Sequence, residues 1–272
     1  MKSTYRIDLA RIKQKGLKEV FAILEQHLNI LGIDFYLIGA VAKDVWLAGI
    51  HELALERMTR DVDLAILIND LHDFADLKRQ LIETTRFIEL KNSSNTLLFD
   101  EKIQVDLLPF GILNIDEISL QENAAFCSVT NGFAEVHQYG TEKVKMGKQL
   151  FKVTTLPGIV LLKLIAYSDR PEMRHKDMWD IKSIITHYDK IIGEELFEEE
   201  YNDLLSLDNN LKMSAQLIGR QIGLILIQSE PLAQRVKGIL NKYTLFLDDG
   251  SGNEHIDLLK ELLKGVSHTS SL

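Results

Sequence analysis

The sequence predicts an α+β fold: a mixed sheet flanked by helices, followed by a C-terminal helical region. Three observations carry this expectation. Segments that alternate apolar and polar residues, such as 60–68 and 102–108, recur in the first part of the chain and read as half-buried strands. A strand-like run from Asp34 to Ile38 breaks at Gly39 and hands over to a helical pattern from Ala40 to Ala48. Beyond Leu156 apolar residues recur almost throughout at helical spacing. The expected boundaries are a sheet-bearing domain over 1–155, a helical domain over 156–266 and a disordered tail over 267–272.

Taken in order, residues from about 7 to 30 read as a helix, followed by the strand, glycine and helix just described, in which Val41, Val45 and Trp46 are available for packing. The β-branched and aliphatic stretch Arg60 to Ile68 is a strand, and Asp70 to Arg86 a helix. Strands follow near Thr96 to Phe99 and Ile103 to Leu108, with further strand-like segments near Ala134 to Tyr139 and Lys143 to Val153. The helical part comprises Pro157 to Ser168, Arg174 to Asp189, Glu194 to Leu205, Asn210 to Gln228, Pro231 to Tyr243 and His255 to Leu263. Gly193, Asp208-Asn209-Asn210 and Asp249-Gly250-Ser251-Gly252 mark the breaks, and no internal repeat is present.

Three acids stand out in the strands. A side-chain period of two puts Asp61 and Asp63 on one face while Val62 and Leu64 point the other way. In the later strand Ile103, Val105 and Leu107 share one face, leaving Gln104 and Asp106 on the opposite one. If the two strands are neighbours, three carboxylates converge, and burying them requires a cation or hydrogen-bond donors. Hard oxygen ligands suit Mg²⁺ or Mn²⁺, which keep waters and bridge to substrate phosphates. The plain alternative is a set of solvated acids at strand ends. Upstream, the strand, glycine and helix start form a phosphate-binding arrangement, since unpaired N–H groups and the positive end of the helix dipole face an anion and Gly39 permits close approach. Lys43, one turn in, either adds a charge there or is a solvated helix-surface lysine, the commoner fate of a single such residue.

The helical part holds a second feature. Every residue from Ile159 to Tyr167 except Lys163 is apolar, so its ammonium must snorkel to water or meet a carboxylate or phosphate. In the next helix Met178, Ile181, Ile184, Ile185 and Tyr188 form an apolar stripe, and Asp177 falls within its angular range. An inward-facing acid wants a partner, and an ion pair with Lys163, Arg170 or Arg174 would supply one. Lys176 and Asp180, four apart, read as a surface helix pair.

Gly39-Ala40, then Asp61-Val62-Asp63, then Asp106 on a later strand resembles the DNA polymerase beta-type nucleotidyltransferases. Within that superfamily, Arg57 to Leu64 together with Val105-Asp106-Leu107-Leu108-Pro109-Phe110-Gly111 is similar to the AbiEii-like toxin nucleotidyltransferases of bacterial type IV toxin–antitoxin systems. Leu161 to Ala166, Arg170 and Lys176-Asp177-Met178-Trp179-Asp180-Ile181 match the same branch, so the resemblance spans roughly residues 30–190. The C-terminal third carries no matching motif.

The resemblance implies a nucleotidyltransferase-type sheet and a cleft to which the helical domain contributes. It implies that Asp61 and Asp63 ligate two Mg²⁺ or Mn²⁺ ions, that Asp106 completes the site beside the acceptor hydroxyl, and that Gly39-Ala40 holds the triphosphate. It further implies that Lys163 touches the nucleotide phosphates and that Asp177 is a base or positioning group near that hydroxyl. Two departures matter. Ala40 stands where most of the superfamily has glycine or serine, removing a hydroxyl contact to phosphate, and the long spacing from Gly39 to Asp61 leaves room for Gly49 to Arg60 as an inserted loop.

Composition bounds the rest. With 272 residues, 46% hydrophobic and 26% charged, the chain reads as an ordinary globular protein with length for two small domains. No run approaches the ~18 apolar residues of a membrane span, and Met1-Lys2-Ser3-Thr4 opens no signal peptide. The single cysteine, Cys127, excludes an internal disulfide framework and a Cys-based zinc cluster, and cytoplasmic residence is the expectation. The eight histidines show no paired ligand spacing and read as surface or structural. A net charge of −9 and a pI near 5.4 argue against non-specific nucleic-acid binding. Local basic groups remain: Lys143, Lys145, Lys148 and Lys152 in a hairpin, then Arg170, Arg174, Lys176 and Lys182. Tyr167 and Trp179 could stack a base, although core packing is the commoner use.

The resulting expectation is a metal-dependent enzyme moving NMP from an NTP to a hydroxyl on a tRNA 3′ end or a protein, as a toxin with a separately encoded antitoxin. Two other readings stay open: a nucleotidyltransferase acting on a small molecule such as an aminoglycoside, and a catalytically silent nucleotide-binding or interaction module, which Ala40 makes thinkable.

Overall fold

Eight strands form one mixed sheet in the computed structural model, which describes residues 5–8, 11–12, 16–54, 59, 61–90, 93–111, 131–147, 149–193, 198, 201–207, 209–246 and 254–269. Cys127, Lys148, Arg57, Met58 and Arg60 lie outside the described residues. The chain divides into two compact units, Met1–His137 with Thr141–Thr155, and Gln138–Gly140 with Leu156–Leu272.

The first unit contains β1 (Tyr5–Arg6), α1 (Leu17–Ile30), β2 (Phe35–Ile38), α2 (Gly39–Asp44), β3 (Asp61–Leu67), α3 (Leu71–Thr84), β4 (Phe87–Glu89), β5 (Thr96–Phe99), β6 (Ile103–Phe110), α4 (Phe133–Tyr139), β7 (Thr141–Met146) and β8 (Gln149–Thr154). Spatially the strands run β1-β7-β8-β2-β3-β6-β5-β4. β2 pairs antiparallel with β3 and parallel with β8, and β3 pairs parallel with β6. β2 is buried along its length, as expected for a central strand, whereas β3 and β6 alternate between buried and more accessible residues.

Several elements depart from the sequence reading for local physical reasons. α1 starts at Leu17, directly after Gly16 at φ 85°, a left-handed conformation that an α-helix does not pass through, so the helix is shorter than the expected 7–30. The helix after Gly39 changes at Val45 into a π-helical turn, Val45–Ile50. There the Trp46 indole N–H donates to Thr154 O (2.6 Å), and Tyr5 meets its ring edge-on with centroids 5.0 Å apart. α3 opens on an Asp70 cap whose carboxylate accepts from His72 N (2.7 Å). β6 continues through Pro109 to Phe110 because β5 pairs only with residues 103–106, so no β5 partner asks for the missing proline N–H. Ala134 to Tyr139, expected as a strand, is helical: Phe133 and Val136 are buried at a spacing of three, the helical period rather than alternation.

Three side chains tie the far end of β2 to its neighbours. The Asp34 carboxylate, just before β2, accepts from Lys152 Nζ of β8 and lies 2.8 Å from His137 Nε2 of α4. Burial alone would raise the Asp34 carboxyl, but Lys152 and His137 outweigh it and hold the group below its ordinary range. His137 is thus structural, as the sequence reading expects of the histidines.

The second unit is helical: α5 (Leu156–Asp169), α6 (His175–Ile192), a 3₁₀ turn at Leu204–Ser206, α7 (Asn210–Ile225), α8 (Glu230–Phe246) and α9 (Glu254–Thr269). α7 is capped by Asn209, whose side chain accepts from Leu211 N (2.7 Å). α7 and α9 pack backbone to backbone: a Cβ on Gly265 would lie 2.1 Å from Gln216 O, and one on Gly219 would lie 2.3 Å from Leu262 O. The same packing carries α9 beyond Leu263 to Thr269, whose buried hydroxyl donates to Arg220 O (3.1 Å), so Ser267–Thr269 are helical. No described helix is long and apolar enough to cross a membrane.

Candidate active site

β3 and β6 bring the three acids of the first unit onto one face of the sheet. In the parallel register Asp63 stands opposite Asp106 and Asp61 opposite Gln104. Neighbouring strands lie about 4.8 Å apart, and Asp61 is about 6.6 Å further along the strand from Asp63. Their burial follows the expected alternation: Asp61 is exposed and Asp63 and Asp106 half-buried, while Val62, Leu64, Val105 and Leu107 are buried. The apolar half of each strand is anchored in the core, which fixes which way the acids face.

Asp106 is oriented from β5. Thr96, its register partner there, donates its hydroxyl to Asp106 Oδ1 (2.7 Å), and Ser93 donates in turn to Thr96 Oγ1 (2.6 Å). Gln104 Nε2 also reaches both Asp106 oxygens, at 3.2 and 3.0 Å. None of Ser93, Thr96 and Gln104 stands out in the sequence as a site residue. A Thr that is an acid's pairing partner on the next strand could have been found only with the register in hand.

Gly39 touches this group directly. Its φ of +72° is left-handed, and a Cβ placed on it would fall 2.1 Å from Asp63 Oδ2. Ile38 is the register partner of Asp63 across β2–β3, so the turn begins where the acid stands. Any side chain at position 39 would collide with the carboxylate. Ala40 follows, half-buried, and Lys43 is buried at 5% exposure rather than solvated, which corrects its reading as a surface lysine.

The donor set is made of hard carboxylate oxygens, the type Mg²⁺ and Mn²⁺ prefer. Among the described residues no three His, Cys, Asp or Glu side chains gather closely enough to enclose an ion. Mg²⁺ is ordinarily held by one or two protein carboxylates, waters and substrate phosphates rather than by an all-protein cage, so the in-register pair Asp63 and Asp106 fits such a cation.

The helical unit brings a second set together. Lys163 of α5 is buried and its Nζ lies 2.6 Å from Asp177 Oδ1 and 2.8 Å from Asp180 Oδ2, both on α6. Burial alone would lower the Lys163 ammonium, but Asp177 and Asp180 more than offset it and hold it above its ordinary value. The lysine therefore meets carboxylates instead of snorkelling. Arg174 Nη1 stands 3.8 Å from Asp177 Oδ2, whereas Arg170 makes none of these contacts. Asp180 is a correction: it is 5% exposed and sits on Lys163, not in a surface pair with Lys176. It is three residues from Asp177 and one turn before Ile184, inside the same buried stripe, and that spacing was the available signal.

The aromatics part company. Tyr167 packs on Tyr243 with ring centroids 5.0 Å apart, while Trp179 is 72% exposed, contrary to the expectation of core packing. In the β7–β8 hairpin Lys143 and Lys152 are register partners; Lys143 and Lys145 are exposed and Lys152 is bound to Asp34.

The chain matches the family described as "Nucleotidyl transferase AbiEii toxin, Type IV TA system" over residues 23–254. No curated protein matches it. Distantly similar solved structures include an antigenic nucleotidyltransferase-like protein from Paracoccidioides brasiliensis, 18% identical, covering 81% of this chain and 92% of that one at a TM-score of 0.43. The antibiotic-resistance factor ANT(2'')-Ia is 12% identical, with 69% of this chain and 90% of that one covered at a TM-score of 0.39. A CCA-adding enzyme is 10% identical, with 97% and 83% covered at a TM-score of 0.34.

Proposed function

The chain belongs to the AbiEii nucleotidyltransferase toxin family, and from that premise we propose that it transfers NMP from an NTP to a hydroxyl on RNA, such as a tRNA 3′ end, or on a protein, with a divalent cation held by Asp61, Asp63 and Asp106. One observation supports this above the rest: Asp63 and Asp106 stand in register on adjacent parallel strands, on the face where Gly39 lets the backbone approach Asp63.

When bound, Mg²⁺ or Mn²⁺ would supply charge neutralisation for the triphosphate and the attacking oxygen. The chain's own residues do the rest. The Ser93–Thr96 relay and Gln104 fix the Asp106 carboxylate, so its oxygens are set before substrate arrives. The Gly39-Ala40 backbone lies against the triphosphate through N–H groups alone, since Ala40 offers no hydroxyl. In the helical unit the Lys163 ammonium donates to Asp177 Oδ1 and stands in an ion pair with Asp180, which holds it charged. The acceptor hydroxyl gives up its proton as its oxygen bonds to the α-phosphorus; the bond from phosphorus to the bridging oxygen breaks, and pyrophosphate leaves with the electron pair. In the toxin role, a separately encoded antitoxin counters the activity.

The test is incubation of the purified protein with each labelled NTP, Mg²⁺ or Mn²⁺, and total RNA or cell lysate. Labelled product with at least one nucleotide, lost in Asp63→Ala, is expected. No product with any nucleotide, or full activity in Asp63→Ala, overturns the reading.

A further inference from the structure

α6 turns its apolar stripe, Ile181, Ile184, Ile185 and Tyr188, into the core of the helical unit, and on the opposite side of the helix stands Trp179, 72% exposed. The other tryptophan, Trp46, is buried. Helical spacing groups His175, Lys176, Lys182, Thr186 and Lys190 with Trp179, at four and three residues before it and three, seven and eleven after it. His175, Lys176, Thr186 and Lys190 are exposed, and Lys182 is half-buried.

No carboxylate of α6 lies within this outward stripe. Asp177 and Asp180 are buried and lie on Lys163. Asp189, at the edge of the stripe, accepts from Lys190 N (2.8 Å) and from Asn210 Nδ2 (3.4 Å). A chain of net charge −9 thus carries, along about 21 Å of one helix face from Lys176 to Lys190, a row of lysines around a single exposed indole.

Two chemistries on one face narrow the partner. Lysine is depleted at protein interfaces, and an apolar docking site needs a contiguous patch rather than one ring among charges. Single-stranded nucleic acid uses the combination: cations follow its phosphates while an aromatic face takes an unstacked base. We propose that the outer face of α6 binds single-stranded nucleic acid, with a base stacked on Trp179 and phosphates along Lys176, Lys182 and Lys190. Such binding needs neither NTP nor the acids of β3 and β6, so it and the transfer can fail independently.

The test is a titration of the full chain, without NTP, by an oligouridylate of about eight nucleotides, within the site sizes usual for such surfaces. Because Trp46 is buried and bonded to Thr154 O, quenching of exposed indole emission reports Trp179. Quenching is expected in wild type. Anisotropy of the labelled oligonucleotide is expected to show Kd rising about 10-fold in Trp179→Ala and little in Trp179→Phe, which keeps a ring. Lys176→Ala is expected to make the fall of log affinity with log salt shallower by about 0.7. All three variants change surface residues and are expected to melt with wild type. Absence of quenching at saturation, a Trp179→Ala Kd equal to wild type, or a duplex of equal length bound as tightly as the single strand overturns the proposal. Poly-glutamate of equal charge that binds as tightly and quenches as strongly assigns the face to an acidic protein and likewise overturns it.

Discussion

Gly39→Ala is the sharpest perturbation of the first unit, because one methyl group acts on two things at once. At φ +72° an L-residue in the left-handed region is less stable by about 1–2 kcal/mol. The new Cβ would also stand 2.1 Å from Asp63 Oδ2 and 2.9 Å from Asp63 Cγ, against an ordinary contact of about 3.5–4 Å. The carboxylate or the β2–α2 turn must therefore retreat by more than 1 Å, and a displacement of that order at a reacting centre lowers the rate by about 100-fold. For a unit of this size about 2–4 °C of melting temperature goes with each kcal/mol, so the melt is expected to fall by about 2–8 °C. Thermal unfolding followed by circular dichroism, beside transfer of the labelled nucleotide, reads both effects. A variant that melts and turns over like wild type refutes the geometry of the turn. One that melts lower but keeps full turnover refutes the coupling of Gly39 to Asp63.

Thr96→Val removes the hydroxyl that orients Asp106 and should raise the Mg²⁺ or Mn²⁺ concentration needed for half-maximal transfer by about 10- to 100-fold; an identical metal titration would show that Asp106 needs no such support. The Asp34 carboxyl is held below its ordinary range, so its contribution to stability is full above that range and is lost as pH falls through the depressed value. Melts of wild type and Asp34→Asn should accordingly differ at pH about 7 and converge towards pH about 2; a gap independent of pH would assign the difference to packing. Gly265→Ala places a Cβ 2.1 Å from Gln216 O, a backbone atom that cannot turn aside, and should destabilise the helical unit by about 1–3 kcal/mol in urea unfolding. An unchanged midpoint there would mean that α7 and α9 lie further apart.

Much of the site was legible because period-two alternation and one-sided burial are local properties. Asp61, Asp63 and Asp106 could be assigned to polar faces from their immediate neighbours, and the faces agree. Their lateral order could not: that Asp63 stands opposite Asp106 depends on pairing between segments separated by a helix and two further strands. Thr96 and Ser93 are hidden for the same reason, whereas Gln104, two residues from Asp106 on its own strand, is assigned to the acid's face by alternation alone. Lys163 drew notice as a lone charge in an apolar helix, yet its second partner was missed because a Lys four residues before Asp180 offered a cheaper surface explanation. The reading of 134–139 as a strand shows the limit of periodicity over one short segment, where buried residues three apart are easily mistaken for alternation.

β2 sits between β3, which follows it closely in the chain, and β8, which does not. Thr154 donates its hydroxyl to Leu37 O across 117 positions. At about 5–20 residues per second, a ribosome needs about 6–23 s to make that interval. During synthesis one side of a wholly apolar strand waits with its amides unclaimed, and folding of the sheet is a late event rather than a progressive one. Newly made protein is thus most exposed to aggregation in that window, and slowing or truncating translation ahead of residue 149 should harm yield more than any comparable interruption in the helical unit.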